Sequence, residues 1–321
     1  MDKVPLNLSP EEESLLESLE QQNNWDGYPI CKFQGFWLPF WLFHPLLCFQ
    51  RNFKARDTDI MLSSMPKSGT TWMKALLFVI ANRNQFPIDQ SPLLVNSSHK
   101  LVKSLECDYY MEHDNPDLET LPQPRVLSTH LPHQALASSL IDSKCKIVYI
   151  CRNPLDQFIS EQHFFLKNRL WPNATVCPLD ESFGMYCDGV HAFGPFCDHL
   201  LGYWNASLEN PDRVLFLKYE DLKRDSLSEI KKIAEFVGLP FSEEEEKAGL
   251  VGEISKLCSF DKLKDLEVNK KGVHYGTITN NSFYRKGGVG DWVNHLTPEM
   301  ADRMKKLLEA KLTGSGLMLD I

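Results

Sequence analysis

Residues 59 to 82 read DIMLSSMPKSGTTWMKALLFVIAN, and the fold turns on how this stretch divides. The apolar run DIMLSSM suits a strand, whereas Trp72, Leu76, Val79 and Ile80 recur at helical spacing. Between them lies the loop Met65-Pro66-Lys67-Ser68-Gly69-Thr70-Thr71-Trp72. Its small residues let backbone N–H groups approach an anion, and the helix N-terminus adds partial positive charge. Lys67 and the hydroxyls of Ser68, Thr70 and Thr71 add further donors. Such a loop suits a phosphate or a sulfate; a helix start with ordinary Ser/Thr capping is the plainer reading of the same residues. It is not a Walker A loop, because Lys67 precedes the loop's only glycine, Gly69, instead of following a second one.

Three more runs repeat the pattern of strand, turn and helix: RVLSTHL (125 to 131), KIVYICR (146 to 152) and RVLFLKY (213 to 219). After the third of the four strands, Asn153 is placed to cap a helix whose first position is Pro154; after the fourth, Ser228 to Val237 reads as an amphipathic helix closed by Gly238 and Pro240. Apolar strands alternating with helices predict an α/β fold with a central parallel sheet flanked by helices. No Pro/Gly/Ser-rich linker divides the chain, so residues 25–321 are expected to form one domain behind an acidic N-terminal extension, residues 1–24. In open parallel sheets ligands bind beyond the carboxyl ends of the strands, so the loops after these runs are where chemistry is expected.

Composition narrows the partners. The 43 acidic residues exceed the 34 basic ones and no basic stripe is evident, which argues against nucleic acid but leaves room for a polyanionic small molecule held by a few cations in one cleft. The opening MDKVPLNLSPEEE lacks the apolar core of a signal peptide, which predicts a cytoplasmic protein. Nine cysteines without a C-x-x-C pair suit free thiols, and the sequons at Asn7, Asn96, Asn173, Asn205 and Asn280 then read as chance matches. The apolar segment GFWLPFWLFHPLLCF, Gly35 to Phe49, is too short for a membrane span of ~18 residues or more and is broken by Pro39, His44 and Pro45, so it is expected in the core or a pocket wall.

Three further polar clusters follow the remaining strands or the C-terminal region. Ser128-Thr129-His130-Leu131-Pro132 offers a histidine suited to proton transfer, although a lone histidine is commonly structural. Arg152-Asn153-Pro154-Leu155-Asp156, with Ser160, offers a two-pronged cation and a hydroxyl for phosphate; Arg152 bridging to Asp156 is the alternative. Phe283-Tyr284-Arg285-Lys286-Gly287-Gly288-Val289-Gly290-Asp291-Trp292 combines cations, aromatics and glycines in a loop able to wrap an anion, or in a generic surface turn.

Taken together these motifs resemble the cytosolic sulfotransferase family. Lys67 to Trp72 is similar to its donor-binding loop P-K-S/T-G-T-T-W, His130 to the base of its T-H-L/V-P segment, and Arg285 to Trp292 to its R-K-G-x-x-G-D-W motif. The resemblance runs from about residue 25 to the C-terminus, and FQGFW and FGPF…HLLGYW are most like the plant branch. It implies a P-loop-like phosphosulfate-binding loop and 3'-phosphoadenylyl sulfate (PAPS) as donor, with no metal. Lys67, Ser68, Gly69, Thr70, Thr71 and Trp72 would hold the donor's phosphosulfate, and Arg152, Ser160, Arg285, Lys286 and Gly287 its 3'-phosphate. Tyr219 and the aromatic of Leu257-Cys258-Ser259-Phe260 would lie beside its adenine; Tyr219 also reads as a strand-end core aromatic.

In the implied mechanism His130 takes the acceptor hydroxyl's proton while Lys67 neutralises charge on the departing nucleotide. Many animal members carry Lys two residues before the histidine; Ser128 stands there in this chain, which shifts that share of the charge stabilisation to Lys67. The expected acceptor is a small, mostly apolar hydroxyl compound such as a flavonoid, steroid or hormone, in a pocket of the Gly35 to Phe49 segment, Phe164, Phe165 and the aromatics of Tyr186 to Trp204. The animal dimer motif is not evident, which favours a monomer. Two rivals remain: a kinase-like enzyme with Glu220 and Asp221 on Mg²⁺, and a nucleotide-binding protein without catalysis.

Overall fold

A computed structural model describes residues 8–168, 174–274 and 278–321; the sequons at Asn7 and Asn173 and the first seven residues of the N-terminal extension lie outside them. Helix α1 (Pro10–Ser18) starts at a reciprocal capping box between Ser9 and Glu12. It is followed by a small antiparallel sheet of β1 (Gln21–Asn23), β2 (Pro29–Phe33) and β3 (Phe36–Pro39), then by α2 (Phe43–Asn52). Residues 8 to 24 fold against the rest of the chain: β1 pairs with β2, Leu16 is buried in the core, and Glu12 takes hydrogen bonds from Arg51 and His44.

The four apolar runs form β4 (Ile60–Ser63), β5 (Val126–Thr129), β6 (Lys146–Cys151) and β7 (Val214–Lys218), all parallel, in the order β5-β4-β6-β7. Every residue of β4 and all but the first of β6 are buried, as inner strands covered on both faces must be. Alternate side chains feed two cores. Met61, Leu127, Ile147 and Tyr149 face one, with Phe158 and Tyr203; Ile60, Leu62, Val148 and Ile150 face the other, with Met73, Leu76 and Ile80 of helix α3 (Thr70–Asn82).

Sequence-expected helices are close to their observed bounds. Asn153 accepts hydrogen bonds from the N–H groups of Leu155 and Asp156 at the start of the Pro154–Asn168 helix. A short helix, Tyr219–Arg224, follows β7 directly, and the next one begins at Ser226, two residues ahead of the sequence reading, because Asp225 caps it through the Ser228 N–H. The chain leaves β4 toward β5 but leaves β6 toward β7, so the loops after β4 and β6 diverge and open a crevice between them. The Gly35 to Phe49 run divides into β3, one 3₁₀ turn and α2, with Leu42, Phe43, Leu46 and Phe49 buried. Among the described residues no helix is long and apolar enough to cross a membrane.

Candidate active site

A cavity of about 510 Å³ opens at this crevice. Its wall includes Lys67, Gly69, Thr70, Thr71 and Trp72 after β4, His130 after β5, Arg152 and Ser160 after β6, and Tyr219 after β7; Arg285, Lys286 and Gly287 close one side. Twelve of the thirteen sequence-predicted site residues therefore converge from positions more than 200 residues apart. The other, Ser68, is buried beside this wall, and its Oγ has no hydrogen-bond partner among the described residues.

The loop after β4 is shaped by two left-handed residues. Gly69 has φ +110°, and a Cβ there would stand 2.8 Å from the Tyr219 ring and 3.2 Å from Ile150, so only glycine fits. Lys67, at φ +66°, adopts the same region against its side chain's preference. Gln157 donates to the Pro66 carbonyl at 2.7 Å, Arg152 to that of Lys67 at 3.4 Å, and the Ser64 and Thr70 hydroxyls bond at 2.7 Å. The Lys67 amine lies 4.2 Å from the centre of the Phe164 ring and 5.4 Å from that of Phe283. Burial pushes it down to about 7, with Glu161 pulling the other way and Arg152 reinforcing the shift. Glu161, buried on the same wall, is pushed up to about 8 by its own burial.

His130 lies at the end of β5 with its Nδ1 2.8 Å from the Ser64 carbonyl. A carbonyl only accepts, so Nδ1 carries the proton and Nε2 is the basic nitrogen. Its backbone is fixed on both sides: the buried Glu106 carboxylate accepts the His130 N–H at 2.6 Å, and His199 donates Nε2–H to the His130 carbonyl at 3.0 Å while accepting the Tyr149 hydroxyl at 3.0 Å. Burial, reinforced by the charges of Lys74 and Lys67, pushes His130 down to about 4, so the ring is a neutral acceptor near pH 7.

On the opposite side, Arg152 donates to the Gly288 carbonyl at 2.7 Å, lies 4.8 Å from the Tyr219 ring centre and stands 3.7 Å from Asp156. The alternative Arg152–Asp156 pairing is thus present, but long. Asp156 is engaged elsewhere, accepting the N–H groups of Gly290 at 2.7 Å and Trp292 at 3.0 Å and so anchoring the glycine-rich loop. Tyr219 donates its hydroxyl to the Gly287 carbonyl at 2.9 Å, and a Cβ on Gly287 would lie 2.4 Å from Phe260, which itself faces the cavity. Arg285 and Lys286 both reach Asp291, at 2.6 and 2.7 Å, and hold its carboxyl well below the usual range. The family resemblance implies that these two cations hold the donor's 3'-phosphate; the structure ties each of them to a carboxylate as well.

Other expectations require correction. Of the aromatics between Tyr186 and Trp204, Phe193 reaches the wall with Ala192, whereas Tyr186 stacks on Trp25 in the core and Trp204 donates to the Ser315 carbonyl. From Gly35 to Phe49 the cavity receives Pro39 and Trp41. Glu220 accepts the Asn153 N–H at 2.9 Å, which commits one of the two carboxylates the Mg²⁺ rival needed. The sequence reading missed Glu106, Lys74 and His99. A lone lysine inside the apolar run WMKALLFVI was the available signal for Lys74; Glu106 and His99 stand in segments without a readable period.

The buried donors test the site against an anionic nucleotide. Arg152 Nε, Arg285 Nε and Ser68 Oγ are buried without hydrogen-bond partners among the described residues, and the glycines at 69 and 287 keep backbone close to the cavity. Unpaired donors of this kind fit a multiply charged ligand.

Comparison with known proteins agrees. A family model described as a sulfotransferase domain matches residues 57–316. Cytosolic sulfotransferases 5 and 6 of Arabidopsis thaliana are each 45% identical over 97% of this chain, which covers 97% and 95% of theirs. Among solved structures, an Arabidopsis thaliana protein assigned as a steroid sulphotransferase matches with a TM-score of 0.78 at 39% identity, over 99% of this chain and 100% of that one. A mouse sulfotransferase complexed with PAP matches with a TM-score of 0.68 at 27% identity, over 89% and 95% of the two chains.

Proposed function

The chain belongs to the sulfotransferase family and is a PAPS-dependent enzyme, and from that premise we propose that it sulfates a hydroxyl of a small, mostly apolar acceptor in the cytosol, with His130 as base and Lys67 as the principal cation. PAPS supplies the activated sulfuryl group. The observation that carries the assignment is the His130 tautomer: with Nδ1–H committed to the Ser64 carbonyl at 2.8 Å, Nε2 is free to take a proton, and burial keeps it neutral. Lys67, 4.2 Å from Phe164, supplies positive charge in a low-dielectric wall, where an anion would restore its proton. Arg152, Ser160, Arg285, Lys286 and the Gly287 backbone are the group assigned to the donor's 3'-phosphate, the Ser68 to Trp72 loop is assigned to its phosphosulfate, and Tyr219 and Phe260 are assigned to its adenine.

Pro39, Trp41, Phe164, Phe165 and Phe193 give the acceptor side an aromatic lining suited to flat or greasy alcohols and phenols, such as flavonoids, steroids and related hormones. Assay with labelled PAPS against a panel of phenols and aliphatic alcohols tests the reading. Label transfer to an apolar hydroxyl compound in EDTA is expected; PAPS binding with no transfer to any member would favour a non-catalytic nucleotide-binding protein.

A further inference from the structure

Lys74 stands in the second turn of α3, 2% exposed, in a helix whose neighbouring side chains Met73, Ala75, Leu76 and Leu77 are apolar and buried. A lysine so buried is ordinarily paired with a carboxylate. Among the described residues none lies within ion-pair distance; the amine instead approaches His99 Nδ1 at 3.4 Å. The other ring nitrogen of His99 lies 3.0 Å from the Thr71 hydroxyl. Thr71 and Lys74 share one helix face at i, i+3 spacing, and all three side chains are on the cavity wall. The Phe283 ring, 4.1 Å from the His99 ring between centres, packs against the imidazole.

These contacts fix the direction of the hydrogen bonds. An ammonium only donates, so Nδ1 of His99 is the acceptor and Nε2 carries the ring proton. Nε2–H therefore donates to Thr71 Oγ1, and the Thr71 proton turns away from the histidine. Burial lowers the Lys74 pKa and the negative charge of Asp108 opposes that shift, so the relay requires that Lys74 keep its proton; burial with the charge of Lys74 holds His99 well below its ordinary range. We propose that Lys74 and His99 are positioning residues that orient the Thr71 hydroxyl as a hydrogen-bond donor to the anionic donor substrate. The inference rests on the PAPS reading of this cavity. It adds a charge-backed relay, Lys74 to His99 to Thr71, behind one hydroxyl of that loop, and it gives a buried lysine of this chain a role in the transfer.

A double-mutant cycle tests the relay. Thr71→Val and Lys74→Met should each lower kcat/KM for PAPS about 10-fold, the scale of one hydrogen bond to a charged group. If Lys74 acts through Thr71, the combined variant should also be about 10-fold down; a loss near 100-fold would show independent action and overturn the relay. His99→Leu should match Lys74→Met, and His99→Gln, whose amide can still donate to Thr71 and accept from Lys74, should recover most of that loss. Equal losses in His99→Leu and His99→Gln would also overturn it, and this pair stands by itself if Lys74→Met does not fold. Wild-type protein that neither binds PAP nor turns over PAPS would sink the donor reading, and the relay with it.

Discussion

The two ends of the parallel sheet use the same residue types for opposite purposes. At the amino end Arg125 and Asp59, 1% and 0% exposed, form a two-pronged pair at 2.7 and 2.5 Å. The remaining Arg125 donors reach the Leu118 and Lys54 carbonyls, and Asp59 also accepts the Arg56 N–H. At the carboxyl end Arg152 and Arg285 each retain a buried Nε without a partner among the described residues, and the Lys67 amine rests against aromatic rings. Both ends pay for buried charge, but the amino end compensates it inside the chain, whereas the carboxyl end is left to be completed by a ligand. A buried ion is costly unless its hydrogen bonds are met, so incomplete compensation at a cavity is a mark of binding.

If that contrast is right, substitutions at the two ends should fail in different measurements. The largest expected effect is catalytic. His130→Ala should lose about 10² to 10⁴ in kcat, the usual worth of a positioned general base, while still binding PAP. The deficit should shrink across a series of phenols as acceptor pKa falls toward ~7, since a more acidic hydroxyl needs the base less. A folded variant with wild-type kcat on an aliphatic alcohol, with chemistry rate-limiting, would falsify the assignment.

Arg125→Met should cost roughly 3–5 kcal/mol of folding stability, the range for breaking a buried pair, because Asp59 is left buried and uncompensated. Denaturant titration measures this. PAP affinity of the folded fraction should hold; a parallel loss of affinity would erase the distinction between the two ends. Arg152→Ala should do the reverse, weakening PAP binding by about 1.5–3 kcal/mol with a smaller change in stability. Arg285→Ala should fall at the lower end of that range, because Arg285 already shares Asp291 with Lys286. Calorimetry with PAP and with adenosine 5'-phosphate should show wild type favouring PAP and both variants losing part of that preference. Equal affinities in wild type would remove these arginines from the 3'-phosphate site.

The smallest expected effect is a titration that does not occur. With His130 pushed down to about 4 by burial, its ring should stay neutral as the pH falls from 8 to 5, gaining a proton only as the pH approaches 4. Histidine ring NMR shifts in the ligand-free protein would show this; a His130 midpoint near the ordinary ~6.5 would mean a wetter site than the structure has.

Much of this was legible in the chain. The sequence determined the four strands, the helical period from Trp72, the helix start at Pro154 and the family motifs, because strand period, capping and close anion approach are local requirements met within a few residues; the structure starts the first of these helices two residues earlier, at Thr70. It also delivered twelve of the residues that line the cavity and are proposed for the donor and the base, since each follows its own strand or lies in one compact motif. Only the tertiary structure decided what those residues touch. Glu106 reaches the His130 backbone across 24 positions, Asp156 anchors Gly290 across 134, and Asp59 meets Arg125 across 66. Such pairings carry no periodicity and leave no local signal, so His99 and Glu106 were invisible as site residues, and Lys74 showed only as a lone charge in an apolar run. The aromatics from Tyr186 to Trp204 divided between core and cavity for the same reason. Apolar pattern fixes that a ring is buried, but the packing of helices over the sheet decides whether it is buried against protein or lines the space left for an acceptor.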